Sequence, residues 1–239
     1  MRTMDSVQPA AIFDLLWAPE RGVKPGRRPS TSREKLVQAA IALADSEGIA
    51  AVTMQRLAEL VKFKTMSLYR YVPSKDVLLD LMWDAAFAGA PKLESEDWRS
   101  DLTGWAVASF ERLEEHPWMI ELVGGARSVG PRWTSWLDAG LAAMVALPLS
   151  ASEKLAVLTV IDGQLRSAAR IRFGVKADPQ WAVDFGRMLL LSATDDSYPT
   201  LGAMVRRGEF EMPGMSMEQM FDFGLDRILD GIEAYCERR

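Results

Sequence analysis

A chain of 239 residues, 49% of them hydrophobic, is long enough to bury one large core or to join a small domain to a larger one. One Cys, one His and no apolar run approaching the roughly 18 residues of a membrane span exclude a disulfide framework, a polydentate zinc site and a transmembrane helix. The net charge of −5 argues against a nucleic-acid partner only as an average: residues 21–75 carry eleven Lys and Arg against four Asp and Glu, a local +7 that leaves −12 for the remainder. A basic first third on an acidic body is the pattern of one module that faces phosphates and one that does not, although a solvated surface produces the same count.

Residues 1–30, punctuated by Pro9, Pro19, Gly22, Pro25, Gly26 and Pro29, read as an irregular arm with room for a short helix around Ile12 to Trp17. That apolar patch is too short and too interrupted for a secretory signal, so a reduced, cytoplasmic protein is expected. Thr31-Ser32-Arg33-Glu34 reads as a capping box, with Thr31 as N-cap and Glu34 at N3. It opens an amphipathic helix with Leu36, Ala39, Ala40, Leu43 and Ala44 on one face and Gly48 as its stop. Thr53 caps a short helix whose Met54, Leu57, Ala58 and Val61 face inward. Thr65 caps a third helix carrying Met66, Leu68, Tyr69 and Val72, halted by Pro73. Ser74 caps a longer fourth helix with Val77, Leu78, Leu81, Met82 and Ala85 on its apolar side.

Beyond Pro91 the helices lengthen. The pattern predicts spans Trp98 to Glu115, a broken segment after Pro117, Arg132 to Leu147, Ala151 to Phe173, Pro179 to Leu191, and Met217 to Glu237. Ser150-x-x-Glu153 and Ser216-x-x-Gln219 read as capping boxes, and Asp178 as an N-cap before a Pro at N1. Nothing alternates with period two and no internal repeat occurs, so the expected fold is all-α.

Residues 53–72 have the plan of a helix-turn-helix, in which one helix crosses the DNA backbone and the next enters the major groove. The second helix presents Lys64, Thr65 and Ser67 at its N-terminal end, with Tyr69 and Arg70 one turn on. Short polar groups allow close approach to base edges, while Tyr69, Arg70 and Lys75 can reach phosphates. Tyr69 also reads as a core aromatic, and Lys75 as a solvated first-turn residue.

At these residues the chain resembles the tetracycline-repressor (TetR) family. The resemblance rests on Thr53-Met54-Gln55-Arg56-Leu57-Ala58-Glu59-Leu60, on Lys64-Thr65-Met66-Ser67-Leu68-Tyr69-Arg70-Tyr71-Val72, and on Ser74-Lys75-Asp76-Val77-Leu78-Leu79, with Ala44-Asp45-Ser46-Glu47-Gly48 ahead of them. It implies a three-helix DNA-binding domain over 31–85, after an arm over 1–30 and before a helical ligand-binding and dimerisation domain over 86–239. It places Thr53, Gln55, Lys64, Thr65, Ser67, Tyr69, Arg70 and Lys75 at positions commonly used for DNA contacts, with Met66 and Leu68 divided between groove and core. One departure stands out: family members usually place Gly in the turn where this chain has Lys62. If that residue takes a positive φ, its side chain costs on the order of 1 kcal/mol. The arm residues Arg21 to Arg28 read equally as a phosphate-reaching segment or a solubilising tail.

The resemblance weakens past residue 90 but continues in His116-Pro117-Trp118, Gly130-Pro131-Arg132 and the run from Phe221 to Ile232, which resemble a branch with a TetR-like C-terminal domain. It implies an operator in double-stranded DNA, a small-molecule effector, no cofactor, and a homodimer built from 151–173 and 217–237. The last helix independently carries Phe221, Leu225, Ile228, Leu229, Ile232 and Tyr235 at 3- and 4-residue spacings, a seam that suits a partner helix or packing within one chain. A dimer is favoured because one short module contacts only a half-site. Candidate effector contacts are Trp105, Phe110, Met119, Trp136, Gln164 and Arg166, drawn from an aromatic-rich stretch between residues 98 and 181. No nucleotide-binding, zincin, redox or nucleophile-elbow motif occurs. Ser32-x-x-Lys35 matches a hydrolase fragment only by chance, so an enzyme is disfavoured and the expectation is a ligand-released repressor. An activator, or a helical binding module that does not engage DNA, is the alternative.

Overall fold

The computed structural model describes residues 9–17, 32–95, 97–122, 127–174, 179–194, 197–210 and 217–239. Among them the regular structure is helical, with no strand. The first helix, α1 (Pro9–Trp17), precedes a three-helix unit of α2 (Arg33–Glu47), α3 (Met54–Leu60) and α4 (Thr65–Leu68). α5 (Lys75–Ala86) leads into the remaining helices: α6 (Trp98–Glu115), α7 (Met119–Leu122), α8 (Pro131–Ala143), α9 (Ala151–Ala169), α10 (Pro179–Ser192), α11 (Pro199–Arg206) and α12 (Met217–Glu237). A π-helical turn, Arg170–Gly174, extends α9.

The caps explain most of these boundaries and correct two expected ones. Ser32, not Thr31, is the N-cap of α2: it has extended backbone angles and its hydroxyl accepts the N–H of Lys35. With the cap one residue later, Lys35 occupies N3 and the expected box with Glu34 does not form; Thr31 lies outside the described residues. Thr53 caps α3 by accepting from Arg56, and Ser74 caps α5 by accepting from Val77, as expected. Lys64, not Thr65, is the N-cap of α4, and no side chain caps that end. α4 is also one turn shorter than its apolar pattern suggested, because residues 69–71 unwind into turns before Pro73. Ser150 and Glu153 form the full reciprocal box at the start of α9. The caps expected at Asp178 and Ser216 fall outside the described residues. α8 ends at Ala143, earlier than expected, and α11 lies in a stretch for which no helix was predicted.

Between α3 and α4 the chain closes with two crossed hydrogen bonds, Lys62 N–H to Glu59 carbonyl at 3.2 Å and Phe63 N–H to Ala58 carbonyl at 2.9 Å. This is the Schellman pattern, which requires a left-handed residue at the position after the cap. That residue is Lys62, with φ at 56°, the only non-glycine with positive φ among the described residues. The strain expected at this turn is therefore real.

α5 binds the two ends of the molecule together. Every residue from Val77 to Ala86 is buried, including Asp80 and Asp84. α1, α2 and α8 all pack on it. Asp84 Oδ1 accepts the N–H groups of Arg132 and Trp133, at 3.1 and 3.0 Å, so a side chain of α5 caps the start of α8. Gly130, which precedes that helix, is required here because a Cβ would collide with the Asp84 carboxylate. Burial raises the Asp84 pKa above the ordinary carboxylate value, against the opposing pull of the Trp133 N–H. Asp80 pairs with Arg127 at 3.1 Å. At the end of α5, the Phe87 carbonyl accepts from Trp136 Nε1 at 2.6 Å and the Ala88 carbonyl from Arg112 Nη2 at 3.2 Å. A second junction forms at Asp45 of α2, whose Oδ1 lies 2.9 Å from His116 Nδ1 and accepts from Trp118 Nε1 at 2.7 Å.

α9 and α12 pack along their length. Phe221, Leu225, Leu229 and Ile232 are buried, so much of the expected seam is consumed inside one chain. Two clasps tie the C-terminal part of α12 to the starts of α6 and α9. Arg99 holds Asp230 at 2.5 Å, and Glu153 accepts from the Tyr235 hydroxyl and from Arg239, each at 2.6 Å. The Tyr235 hydrogen bond, followed by those from Ser150, lowers the Glu153 pKa to about 2.

Two stability predictions follow from these local features. Lys62→Gly relieves the left-handed strain and raises the unfolding free energy by about 1 kcal/mol, read from the urea midpoint; a loss of that size contradicts the turn geometry. Asp84→Ala uncaps α8 and costs about 1–2 kcal/mol, whereas Asp84→Asn keeps an acceptor, sheds a buried charge and costs clearly less.

Candidate nucleic-acid interface and helical-domain cavity

The exposed rim of α3 and α4 gathers the polar and basic residues named from the sequence. Thr53, Gln55, Lys64, Met66, Tyr69, Arg70 and Lys75 are exposed, while Thr65 and Ser67 are half-buried at the start of α4. Leu68 and Val72 are fully buried and anchor the α4 segment to the core beneath. Of the two residues divided between groove and core, Leu68 is core and Met66 is 80% exposed. An apolar side chain held out beside Ser67 is chemically suited to a thymine methyl group in the major groove. Tyr69, 41% exposed, is not a core aromatic.

The electrostatics of the rim are set by which cations are neutralised locally. Arg56 pairs with Glu47 at 3.1 Å across half-exposed side chains. Gln55 donates to Glu59 at 3.3 Å, which orients its amide along α3. Lys62 adds an exposed positive side chain at the turn, next to Lys64 at the N-terminus of α4. Arg70 stacks 6.0 Å from the Tyr71 ring, which lends rigidity to its stem. Arg21 to Arg28 lie outside the described residues.

The second candidate site is a cavity of about 220 Å³ enclosed by α5, α6, α8 and α9. Its walls include Trp83, Phe87, Trp105, Trp133 and Trp136, with Met119 at one side. Trp83 meets Phe87 edge-on at 5.5 Å and Phe87 meets Trp136 at 5.7 Å, so the rings form a continuous wall. Trp105 is fixed by its Nε1–H bond to the Trp136 carbonyl at 2.8 Å, with Gly140 packed against its indole. The charged lining is Arg112, Asp162 and Arg166, and Asp162 and Arg166 pair with each other. Arg112 and Arg166 stand 5.7 and 5.8 Å from the rings of Trp136 and Trp83. Leu155 and Thr159 of α9 line the cavity and are exposed, which puts its mouth on that helix.

Of the six effector contacts named from the sequence, Trp105, Met119, Trp136 and Arg166 line this cavity. Phe110 and Gln164 do not. Phe110 stacks on Phe221 at 5.0 Å in a separate groove, and Gln164 packs against Gly224 of α12. Trp83, Phe87 and Arg112 were missed. The first two sit on or just after α5, a helix whose apolar face reads from sequence as core of the small domain. Arg112 was legible only as an i,i+3 partner of Glu115 on an exposed helix face.

Among the described residues no helix is long and apolar enough to cross a membrane, and no cluster of three or more His, Cys, Asp and Glu could hold a metal. The comparisons with known proteins divide the chain at the same helix. Residues 36–82 match the model for bacterial regulatory proteins of the tetR family, and residues 90–236 match that for the tetracyclin repressor-like C-terminal domain. The HTH-type transcriptional repressor DrrR1 of Streptomyces coeruleorubidus is 29% identical over 96% of this chain and 87% of its own length. The structure is similar to apo ActR of Streptomyces coelicolor, with a TM-score of 0.75 at 19% identity over 88% of this chain and 99% of that one. ActR bound to actinorhodin gives the same score and identity over 87% and 98%. With both its DNA-binding and its C-terminal region matched, the chain belongs to the tetR family of bacterial regulatory proteins.

Proposed function

We propose that the protein is a dimeric, cytoplasmic transcriptional repressor whose operator complex is released when a small molecule fills the α5–α9 cavity. It has no catalytic role. The observation that carries this reading is physical continuity. The helix whose N-terminus follows the DNA-facing rim runs into Phe87 and Ala88, whose carbonyls are held by Trp136 and Arg112, both cavity-lining residues. In this reading residues 31–85 form the DNA-binding domain and 86–239 the effector and dimerisation domain. Thr53, Gln55, Lys64, Thr65, Met66, Ser67, Tyr69, Arg70 and Lys75 are the groove and phosphate contacts. ActR, a structural relative, has been captured with actinorhodin, which supports a small-molecule effector here.

The dimer is supported by what α9 and α12 leave outside. Their shared outer groove is lined by Ala156, Val157, Val160, Ile228, Gly231 and Tyr235, and a Cβ added at Gly163 or Gly231 meets nothing within 4 Å. Small residues on an open helical face allow close approach by a second pair of helices. α10 separately exposes Val183, Leu190 and Leu191, each 60% or more. Two copies joined there present two recognition helices, and successive major grooves lie about 34 Å apart. A ligand that shifts α5 changes that separation, and a coupling of about 1–3 kcal/mol is enough to empty the operator.

Electrophoretic mobility with the DNA upstream of the protein's own gene tests the reading. Two protomers per site are expected, with affinity falling as salt rises. Lys64→Gln weakens binding and lowers the slope of log K against log salt by about 1, with an unchanged urea midpoint. Absence of retardation at moderate salt contradicts the repressor reading, and retardation accompanied by increased transcription from the site favours an activator.

A further inference from the structure

We infer that the cavity is built for a planar aromatic anion, and that Arg112 both binds its acidic oxygen and reports its arrival to α5. The inference rests on the ligand-responsive reading above and goes beyond it in naming the ligand chemistry and the residue that senses it.

The walls select flat rings. Indoles and a phenyl ring from α5, α6 and α8 face one small cavity, and aromatic ligands gain from offset and edge-on contact with such surfaces. The charge selects the sign. Of the three charged side chains in the lining, Asp162 and Arg166 pair with each other, and Arg112 pairs with Glu115, which does not line the cavity, so Arg112 is the lining cation whose counter-ion stands outside it. Its Nη1 is engaged with Glu115 at 2.6 Å and its Nη2 with the Ala88 carbonyl at 3.2 Å. Its Nε is buried and has no hydrogen-bond partner. A buried donor without a partner is uncommon in folded proteins, because the lost hydration is not replaced, and a carboxylate or phenolate oxygen supplies what is missing. The guanidinium also lies 5.7 Å from the Trp136 ring, so a ring stacked on Trp136 brings its substituent within reach of it.

The same guanidinium is one of two groups that hold the carbonyls of the two residues directly after α5, Ala88 and Phe87, and the other is the Trp136 indole. A carboxylate binding Arg112 side-on competes with the neutral Ala88 carbonyl for Nη2 and is the stronger acceptor. An aromatic anion therefore loosens the end of α5 in the act of binding, whereas an uncharged aromatic of the same shape fills the cavity and leaves that hydrogen bond in place.

A matched pair of probes separates charge from shape: 2-naphthoate and its uncharged isostere 2-naphthamide, titrated into the full-length protein by tryptophan quenching. The wild type is expected to bind the acid about tenfold more tightly than the amide, equivalent to about 1.4 kcal/mol. Arg112→Gln abolishes the preference while holding the amide within about twofold of wild type. Arg112→Lys retains part of the preference and serves as the reading if the Gln variant does not give a native circular dichroism spectrum. Equal affinities in the wild type, a preference that survives Arg112→Gln, or no quenching by either probe overturns the inference. Operator retardation is measured in parallel. A charge preference without DNA binding upholds this inference and refutes the repressor reading, and DNA binding without a charge preference does the reverse.

Discussion

The structure turns on one helix that belongs to two cores at once. α5 is buried on every face from Val77 to Ala86, so it cannot shift without repacking residues on both sides. Two of those buried positions are carboxylates, an expensive choice unless the groups are used. Asp84 is used to cap α8 and Asp80 to hold Arg127, and so the helix that starts beside the recognition segment ends as part of the cavity's frame. The cavity returns the contact through Trp136 and Arg112. Binding energy gained in such a cavity has a short mechanical path to the DNA-facing rim, made of hydrogen bonds to backbone rather than of loose side-chain packing.

The small domain is held together by local chemistry, which is why so much of it was legible. Thr53 and Ser74 begin helices because their hydroxyls satisfy free N–H groups, and that preference is written in single residues. The strained turn was legible for the same reason. A position that favours Gly and carries Lys62 points to a left-handed backbone, and φ at Lys62 is 56°. The one-residue shift of the first cap shows the limit of such signals. Thr31 and Ser32 both carry a hydroxyl able to cap a helix, and it is the Ser32 hydroxyl that accepts the N–H of Lys35.

The cavity was less legible because it depends on contacts between distant residues. Aromatic content located it approximately, and Trp105 and Trp136 line it, but periodicity could not separate Phe110, which stacks on Phe221, from ring neighbours that face the empty space. Nor could it show that α5, read as the last helix of a DNA-binding module, contributes Trp83 to the cavity wall. The role of Arg112 follows from an unpartnered nitrogen, a property of the folded chain alone. The apolar seam of α12 illustrates a different ambiguity. One face is consumed by α9, and the residues just around the helix from it, Phe223 and Tyr235 among them, remain exposed.

The central claim is that the cavity wall sets the position of the recognition helices through the end of α5. It is tested most directly without any ligand, by pulsed electron-electron resonance between nitroxides placed at Ser67 in the two protomers, with Cys236 replaced by Ser so that labelling is specific. Trp136→Phe removes the N–H that holds the Phe87 carbonyl and leaves the DNA-facing surface untouched. The account predicts a shifted or broadened separation relative to the parent protein, together with weaker operator binding. Superimposable distance distributions with unchanged operator affinity, or no dipolar signal at all, would contradict it.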